Sequence, residues 1–212
     1  MKLTRLFIAR HGETEFNRNH LMQGRSIDAP LNDTGRIQAM ALNEYLKGYE
    51  IDQVSSSSML RAKQTAEPIV QHLNLNLSSD SALDEMDFGE YEGLSYLDLA
   101  DELRELQKNW EVGNLNIAAP GGESPIEVFE RANTCVHEIL SREHGKTLVL
   151  VLHGRLIRTL LSEWLGYGLK NMHRIQHRNG CINQLVWDGH NFEAVYINKT
   201  EHLENTSAIK TG

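Results

Sequence analysis

The chain has 212 residues, 40% hydrophobic and 24% charged, which suits one sizeable soluble core and is short for two. Its formal net charge of -8 argues against nonspecific binding to nucleic acid or to an anionic membrane, so any anionic ligand must be met by a local positive field. Two cysteines, Cys135 and Cys181, make no disulfide framework and read as small apolar packing residues.

Lys2 and Arg5 break the first nine residues, which are too short for the apolar region of a signal peptide. No window approaches the ~18 apolar residues of a membrane span, so the expectation is a cytoplasmic protein. Leu3 to Ala9 reads as a buried strand ending abruptly in Arg10-His11-Gly12. Residues 10 to 31 read as a long polar loop, and a loop of that length in a compact domain is usually functional. A helix follows from Asn32-Asp33 to Lys47, with Ala39, Met40, Leu42 and Leu46 at helical spacing. Ile51 to Ser55 is a short strand, Met59 to Leu73 an amphipathic helix, and Leu75 to Ser78 a further short strand. Leu83 to Gly89 mixes apolar and acidic residues and reads as irregular loop.

A helix is expected from Ser95 to about Trp110, then a loop over 111–123. Ser124, Pro125 and Glu127 together mark the start of another helix, which runs to about Glu143. Thr147 to Leu152 is apolar without alternation, as in a central parallel strand buried on both faces. His153-Gly154 follows at once, then an apolar helix from Leu156 to Leu165. Asp188-Gly189-His190-Asn191 between two apolar runs, 182–187 and 192–197, signals a hairpin. A polar tail covers 204–212. The fold class expected is α/β in three layers, a largely parallel central sheet with helices on both faces. The organisation expected is a single domain over 1–212, with a lid segment over 86–123.

Two strands end alike, one in Arg10-His11-Gly12 and one in His153-Gly154. If both are parallel and central, both histidines rise on one edge of the sheet, where open α/β sheets bind ligands. Either histidine alone reads as a half-buried core imidazole, and the shared context favours a site. The glycine after each lets backbone approach a ligand. Arg61 alone would be a surface residue. In the first turn of its helix, on that same edge, it pairs with Arg10 as a second guanidinium fork for phosphate oxygens. Glu85 alone is a solvated carboxylate, and beside these groups it is the acid that the chemistry lacks. The set suits phosphoryl transfer through a covalent histidine intermediate.

The sequence resembles the histidine phosphatase superfamily, which contains cofactor-dependent phosphoglycerate mutases and acid phosphatases. The matching positions are Arg10-His11-Gly12-Glu13-Thr14 with Asn17, then Gln23-Gly24, Leu31 to Gly35, Arg61, Glu85 and His153-Gly154. The resemblance runs from about Leu3 to Leu203. It implies that His11 is the phosphorylated nucleophile and Glu85 the proton donor, with Arg10, Arg61 and His153 as the phosphate pocket. Asn17, Gln23, Gly24 and Gly154 match positions lining the pocket or its substrate side. No metal or organic cofactor is implied, and the partner expected is a small phosphorylated metabolite. A metal site on His11, Glu85 and His153 fits no compact zinc spacing, and adjacent arginines would repel a cation. His173 and His177, flanked by Arg174 and Arg178, read as a solvated basic surface.

Mutases of this superfamily continue the acidic position as Glu-Arg-His-Tyr-Gly, whereas this chain has Glu85-Met86-Asp87-Phe88-Gly89. The run from Asp87 to Leu94 resembles the broad phosphatase branch, with its α-ribazole phosphatase-like and metal-independent phosphoserine phosphatase-like enzymes. A phosphatase is therefore expected, with a mutase or a non-catalytic phospho-ligand module as alternatives. Between Met86 and Ser124 the only cations are Arg104 and Lys108, against nine acids. An acidic lid would disfavour multiply anionic leaving groups, unless those acids lie on an outer helix face. No feature of the sequence sets the oligomeric state.

Overall fold

The computed structural model describes residues 2–204. Strand β1 (Thr4–Arg10) leads through the short helix α1 (Glu15–Arg18) to helix α2 (Asp33–Leu46), strand β2 (Gln53–Ser57), helix α3 (Leu60–Leu73) and strand β3 (Leu77–Asp80). Helices α4 (Ala100–Glu111) and α5 (Pro125–Arg142) precede strand β4 (Thr147–Leu152) and helix α6 (Gly154–Trp164). The hairpin of β5 (Ile182–Trp187) and β6 (Phe192–Lys199) and the single turn α7 (Glu201–Glu204) follow. The expected polar tail lies outside the described residues from 205 onward.

The six strands are ordered β3-β2-β4-β1-β5-β6. The first four run parallel, and β5 and β6 add antiparallel pairings at one side. Alternation along β1 and β4 divides the core. Leu6, Ile8, Leu148, Leu150 and Leu152 pack towards α5 and α6, while Phe7, Ala9, Val149 and Val151 pack with Leu42, Ala62 and Ile69 of α2 and α3. The α/β class with helices on both faces is as expected. Each of these side chains is essentially solvent-free, and burying a leucine or valine stabilises by about 1.5–3 kcal/mol. Leu150→Ala would cost about 2–5 kcal/mol, since β4 has no room to collapse around the gap.

The helix signal at Ser124 works as read. Its hydroxyl accepts from Glu127 N–H while the Glu127 carboxylate accepts from Ser124 N–H, a complete capping box. Other expectations shift. Residues 95–99 form turns, and α4 starts only at Ala100, because Ser95 bridges to Leu21 and Tyr96 N–H donates to the His20 carbonyl. Met40 lies on the outer face of α2, 42% exposed. The loop over 10–31 contains α1 and closes on itself through a Thr14–Leu31 bridge. Both cysteines are buried and free, and burial pushes each thiol up to about 11, so they pack rather than react. Among the described residues no helix is long and apolar enough to cross a membrane.

Candidate active site

The register of the sheet builds the site. Arg10 on β1 faces Leu152 on β4, so His11 and His153 leave adjacent parallel strands at one level. His11 N–H continues the ladder onto the Leu152 carbonyl at 2.9 Å, and the two imidazole centroids are 5.1 Å apart. Strand β2 pairs with the other side of β4 and delivers Arg61 in the first turn of α3.

Arg61 is fully buried, not a surface residue. Its Nη1 donates to the Ile27 carbonyl and its Nη2 to the Gly24 carbonyl, which ties it to the polar loop. Burial pushes its guanidinium down to about 10, still charged at neutral pH. Arg10 donates from Nη1 to the His177 carbonyl at 2.8 Å. The absence of a side chain at Gly154 lets Arg10 lie close, since a Cβ there would sit 3.1 Å from the Arg10 Cζ. Gly12 serves differently from what its position suggests. Its N–H donates to Thr65 Oγ1, and a Cβ on it would meet the Gly35 carbonyl oxygen at 2.4 Å. Gly12 is therefore small for the sake of α2 packing, not to clear space for a ligand.

His11 Nδ1 lies 2.7 Å from the Gly12 carbonyl. A carbonyl only accepts, so Nδ1 carries the proton and the Nε2 lone pair is left free. Burial first, then the Arg61 and Arg10 charges, hold His11 well below its ordinary value, so the ring is neutral. Burial and the charge of Arg61 do the same to His153, whose two ring nitrogens are buried and unpartnered.

Glu85 sits where α6 begins. His153 is the N-cap of α6 and makes no side-chain cap, which leaves the first amides without partners. The Glu85 carboxylate fills that role, accepting from Arg155 N–H on Oε2 and from Leu156 and Met86 N–H on Oε1. Arg131 of α5 in turn holds the Glu85 segment through the carbonyls of Ala82, Asp84 and Glu85, while its Nε and Nη2 grip Glu123. Asn17 accepts from Asn179 Nδ2, which also reaches the His11 carbonyl, and Gln23 Oε1 accepts from the Thr14 hydroxyl.

A cavity of about 270 Å³ opens over these groups. Arg10, His11, Asn17, Gln23, Glu85 and Gly154 line it, while Arg61, His153 and Gly24 lie behind its floor. Six buried polar atoms without a partner among the described residues gather here: Arg10 Nε, Gln23 Nε2, Arg61 Nε, Arg158 Nε and both ring nitrogens of His153. Most are donors, and buried unpaired donors cost about 1–3 kcal/mol each, so the site is built to receive an anion rich in acceptors. Among the described residues no cluster of three His, Cys, Asp or Glu side chains could hold a metal.

The cavity also has walls that sequence reasoning missed. Arg155 and Arg158 line it from the first turns of α6, and Met22, Phe88, Tyr96 and Leu103 complete it. The signal was present in His153-Gly154-Arg155-Leu156-Ile157-Arg158, where two arginines three apart share a helix face. None of the nine acids of residues 87–123 lines the cavity. Glu92 instead accepts from Ser26 and Phe88, and Asp98, Asp101, Glu102 and Glu105 point to solvent. The acidic-lid expectation is thus corrected. His177 is corrected too: it is buried, 3.0 Å from Asn183, and burial pushes it down to about 3.

The profile of the histidine phosphatase superfamily (branch 1) matches residues 6–200. A protein of Hydrogenobacter thermophilus provisionally named phosphoserine phosphatase 2 is 31% identical over 201 residues, covering 94% of this chain and 98% of the relative. A Salmonella choleraesuis protein provisionally named phosphoglycerate mutase GpmB is 32% identical over 183 residues, covering 86% and 85%. Among solved structures, a mycobacterial glucosyl-3-phosphoglycerate phosphatase complexed with VO3 superposes with a TM-score of 0.84 at 28% identity, covering 92% of this chain and 99% of that one. An Entamoeba histolytica phosphoserine phosphatase in complex with 3-phosphoglyceric acid gives 0.84 at 26% identity, covering 94% and 99%. With its fold and residues 6–200 accounted for in this way, the chain belongs to the histidine phosphatase superfamily, branch 1, and is a phosphoric monoester hydrolase of that type.

Proposed function

We propose that the protein hydrolyses small phosphomonoesters in the cytoplasm, without a metal, through a phosphohistidine on His11. The supporting observation is the meeting, in one cavity, of a neutral His11 with its Nε2 lone pair free, the Arg10 guanidinium and the Glu85 carboxyl group. His11 Nε2 attacks phosphorus as the ester P–O bond breaks, and the departing oxygen takes a proton from Glu85. Among the described residues Oε2 of Glu85 accepts one backbone N–H, from Arg155, which leaves it a position to hold that proton. Water then loses a proton to the Glu85 carboxylate and attacks phosphorus, the P–N bond breaks, and inorganic phosphate leaves. Arg10, Arg61 and His153 bind the equatorial oxygens and offset their charge in a site shielded from water, with Asn17, Gln23, Gly24 and Gly154 shaping the pocket around them. Residues 86–123 roof the site within a single domain.

Mutase activity would require the phosphoryl group to be shielded from water until it returns to a substrate. The Met86-Asp87 pair after Glu85 supplies no cation for that purpose. The test is acid-quench labelling with a 32P-phosphomonoester in the presence of chelator. Acid-labile label on the enzyme, absent in His11→Ala, together with release of inorganic phosphate is expected. Turnover that survives His11→Ala, or that stops with chelator, would sink the mechanism.

A further inference from the structure

We propose that Thr14 and Asn179 are positioning residues, which turn the carboxamides of Gln23 and Asn17 so that both present N–H2 donors to the phosphoryl oxygens. The proposal rests on the reading of the cavity as a phosphoryl site and adds how its uncharged donors are given their direction.

A carboxamide is a donor at one end and an acceptor at the other, with ends of nearly equal size, so a pocket for an anion has to fix which end faces inward. Asn17 and Gln23 both line the cavity over His11. Their orientation starts from backbone groups whose donor or acceptor character is fixed. Asn179 Nδ2 lies 3.2 Å from the His11 carbonyl oxygen and 3.4 Å from that of Gly12. Carbonyls only accept, so the Asn179 atom beside them is its nitrogen, and the Asn17 atom 2.9 Å from that nitrogen is an oxygen. The Thr14 backbone N–H, which only donates, meets the same Asn17 Oδ1 at 3.2 Å. Two donors from separate parts of the chain thus occupy the Asn17 oxygen, and Nδ2 is the end left for the cavity.

Thr14 passes the polarity on. Its hydroxyl oxygen accepts from Asn17 N–H at 3.2 Å, and its hydrogen goes to Gln23 Oε1 at 2.7 Å. Gln23 Nε2 is then turned the other way, buried and without a partner among the described residues. Thr14 is fully buried and Gln23 is 7% exposed, so water does not compete for these bonds. The cap of α1 belongs to the same chain of contacts. A helix of one turn contributes little by itself, and the bonds that cap it are those that aim the two amides. Neither Thr14 nor Asn179 lines the cavity over His11, so both act through Gln23 and Asn17. A flipped amide would set a carbonyl oxygen against a phosphoryl oxygen, exchanging an attraction for a repulsion.

The test reads the binding of inorganic phosphate, which needs no turnover. Calorimetric titration of the full chain is expected to show about tenfold weaker binding in Thr14→Val, and binding within about twofold of the unsubstituted chain in Thr14→Ser, which keeps the hydroxyl. Gln23→Met is expected to lose a similar factor, and the double variant to lose far less than the product of the two, because one residue acts through the other. Asn179→Leu and Asn17→Leu should be coupled in the same way. Losses that multiply overturn the proposal, and so does a Thr14→Ser chain that binds as weakly as Thr14→Val. NMR of the unsubstituted chain covers the case in which a variant fails to fold. The side-chain N–H2 signals of Gln23 and Asn17 are expected to shift as phosphate fills the site, and signals unmoved at saturation overturn the proposal. The hydrolytic reading fails on a different result. Coupled losses of phosphate binding in a chain that turns over no ester support the positioning residues and sink the mechanism, whereas turnover with multiplying losses sinks the positioning alone. A chain that binds no phosphate overturns both.

Discussion

The floor and the roof of the cavity are held in opposite ways. On the floor, His11 and His153 follow adjacent parallel strands in one register, so the sheet itself decides that they meet. Residues 86–123, the roof in the proposed reading, are strapped down by local bonds, Gly93 N–H to the Met22 carbonyl and Met22 N–H to the Leu94 carbonyl, and by Leu99, Leu106 and Trp110 sunk into the core. The floor turns unpaired polar groups inward. The roof turns its charges outward, into water or into local pairs such as Arg104 with Asp101. A pocket's sign is set by the side chains that face it, and the net charge of the segment covering it is a poor guide.

Glu85 lies at the seam between the two, so Glu85→Gln should break the arrangement most severely. The amide keeps an acceptor for Leu156 N–H but has no proton to give. For an alkyl phosphate, kcat/KM is expected to fall about 10²–10⁴-fold. For p-nitrophenyl phosphate, whose leaving group departs without help, the loss should be about tenfold or less. Equal losses for both esters would remove Glu85 from the acid role and leave it as the cap of α6.

Arg131 ties the floor to the roof from behind, and it touches no cavity surface. Arg131→Met takes away the donors to the carbonyls of Ala82, Asp84 and Glu85 and strips the half-buried Glu123 of its main partner. A stability loss of about 3–5 kcal/mol is expected, read by denaturant unfolding. If Arg131 also positions Glu85, kcat per folded enzyme falls while KM hardly moves, and Arg131→Lys restores part of it. A variant that loses stability and keeps kcat would confine Arg131 to structure.

The floor's histidines make it sensitive to acid in a way the roof is not. His11, His153 and His177 are all held below their ordinary value by burial. At pH above about 6.5 they are neutral in folded and unfolded chains alike, and they contribute no pH dependence. Below that, the unfolded chain takes up protons that the folded chain refuses. Stability should therefore drop as pH falls from about 6.5, by about 1.4 kcal/mol per pH unit for each histidine that stays neutral. His177, pushed down to about 3, carries this furthest. Unfolding curves between pH 7 and pH 5 test it, and a flat stability across that range would show that these rings protonate without unfolding.

How far the site could be read from the chain follows the same division. Strand ends are legible because an apolar run such as Leu148 to Leu152 has only one place in an α/β sheet, and whatever follows it must emerge at the C-terminal edge. That placed Arg10, His11 and His153 without any knowledge of side-chain contacts. Arg61 was placed at the right edge, but its complete burial was not visible, because the carbonyls of Gly24 and Ile27 that receive it come from a loop without periodicity. Arg155 and Arg158 are hard to read from the chain for a different reason. The cations of the covering segment, Arg104 and Lys108, do not line the cavity, whereas Arg155 and Arg158 come from a helix that begins about thirty residues after that segment ends. Gly12 shows the converse error, in which a packing requirement against Gly35 resembles a functional clearance.

The smallest expected effect is the one that separates segment charge from pocket charge most cleanly. Asp98, Asp101, Glu102 and Glu105 all belong to the covering segment, all are exposed, and none lines the cavity. Replacing the four together with Asn and Gln removes half of the chain's net negative charge of -8. At about 0.15 M salt the field of exposed groups is screened within about 8 Å, so kcat/KM for 3-phosphoglycerate should change by about twofold or less. If the roof did repel anions, the quadruple variant would gain on anionic esters, the gain would be larger in dilute buffer, and it would fade as salt is raised. A gain of that form would restore the acidic segment as a determinant of specificity. Its absence would show that the charge of the covering segment does not select among esters.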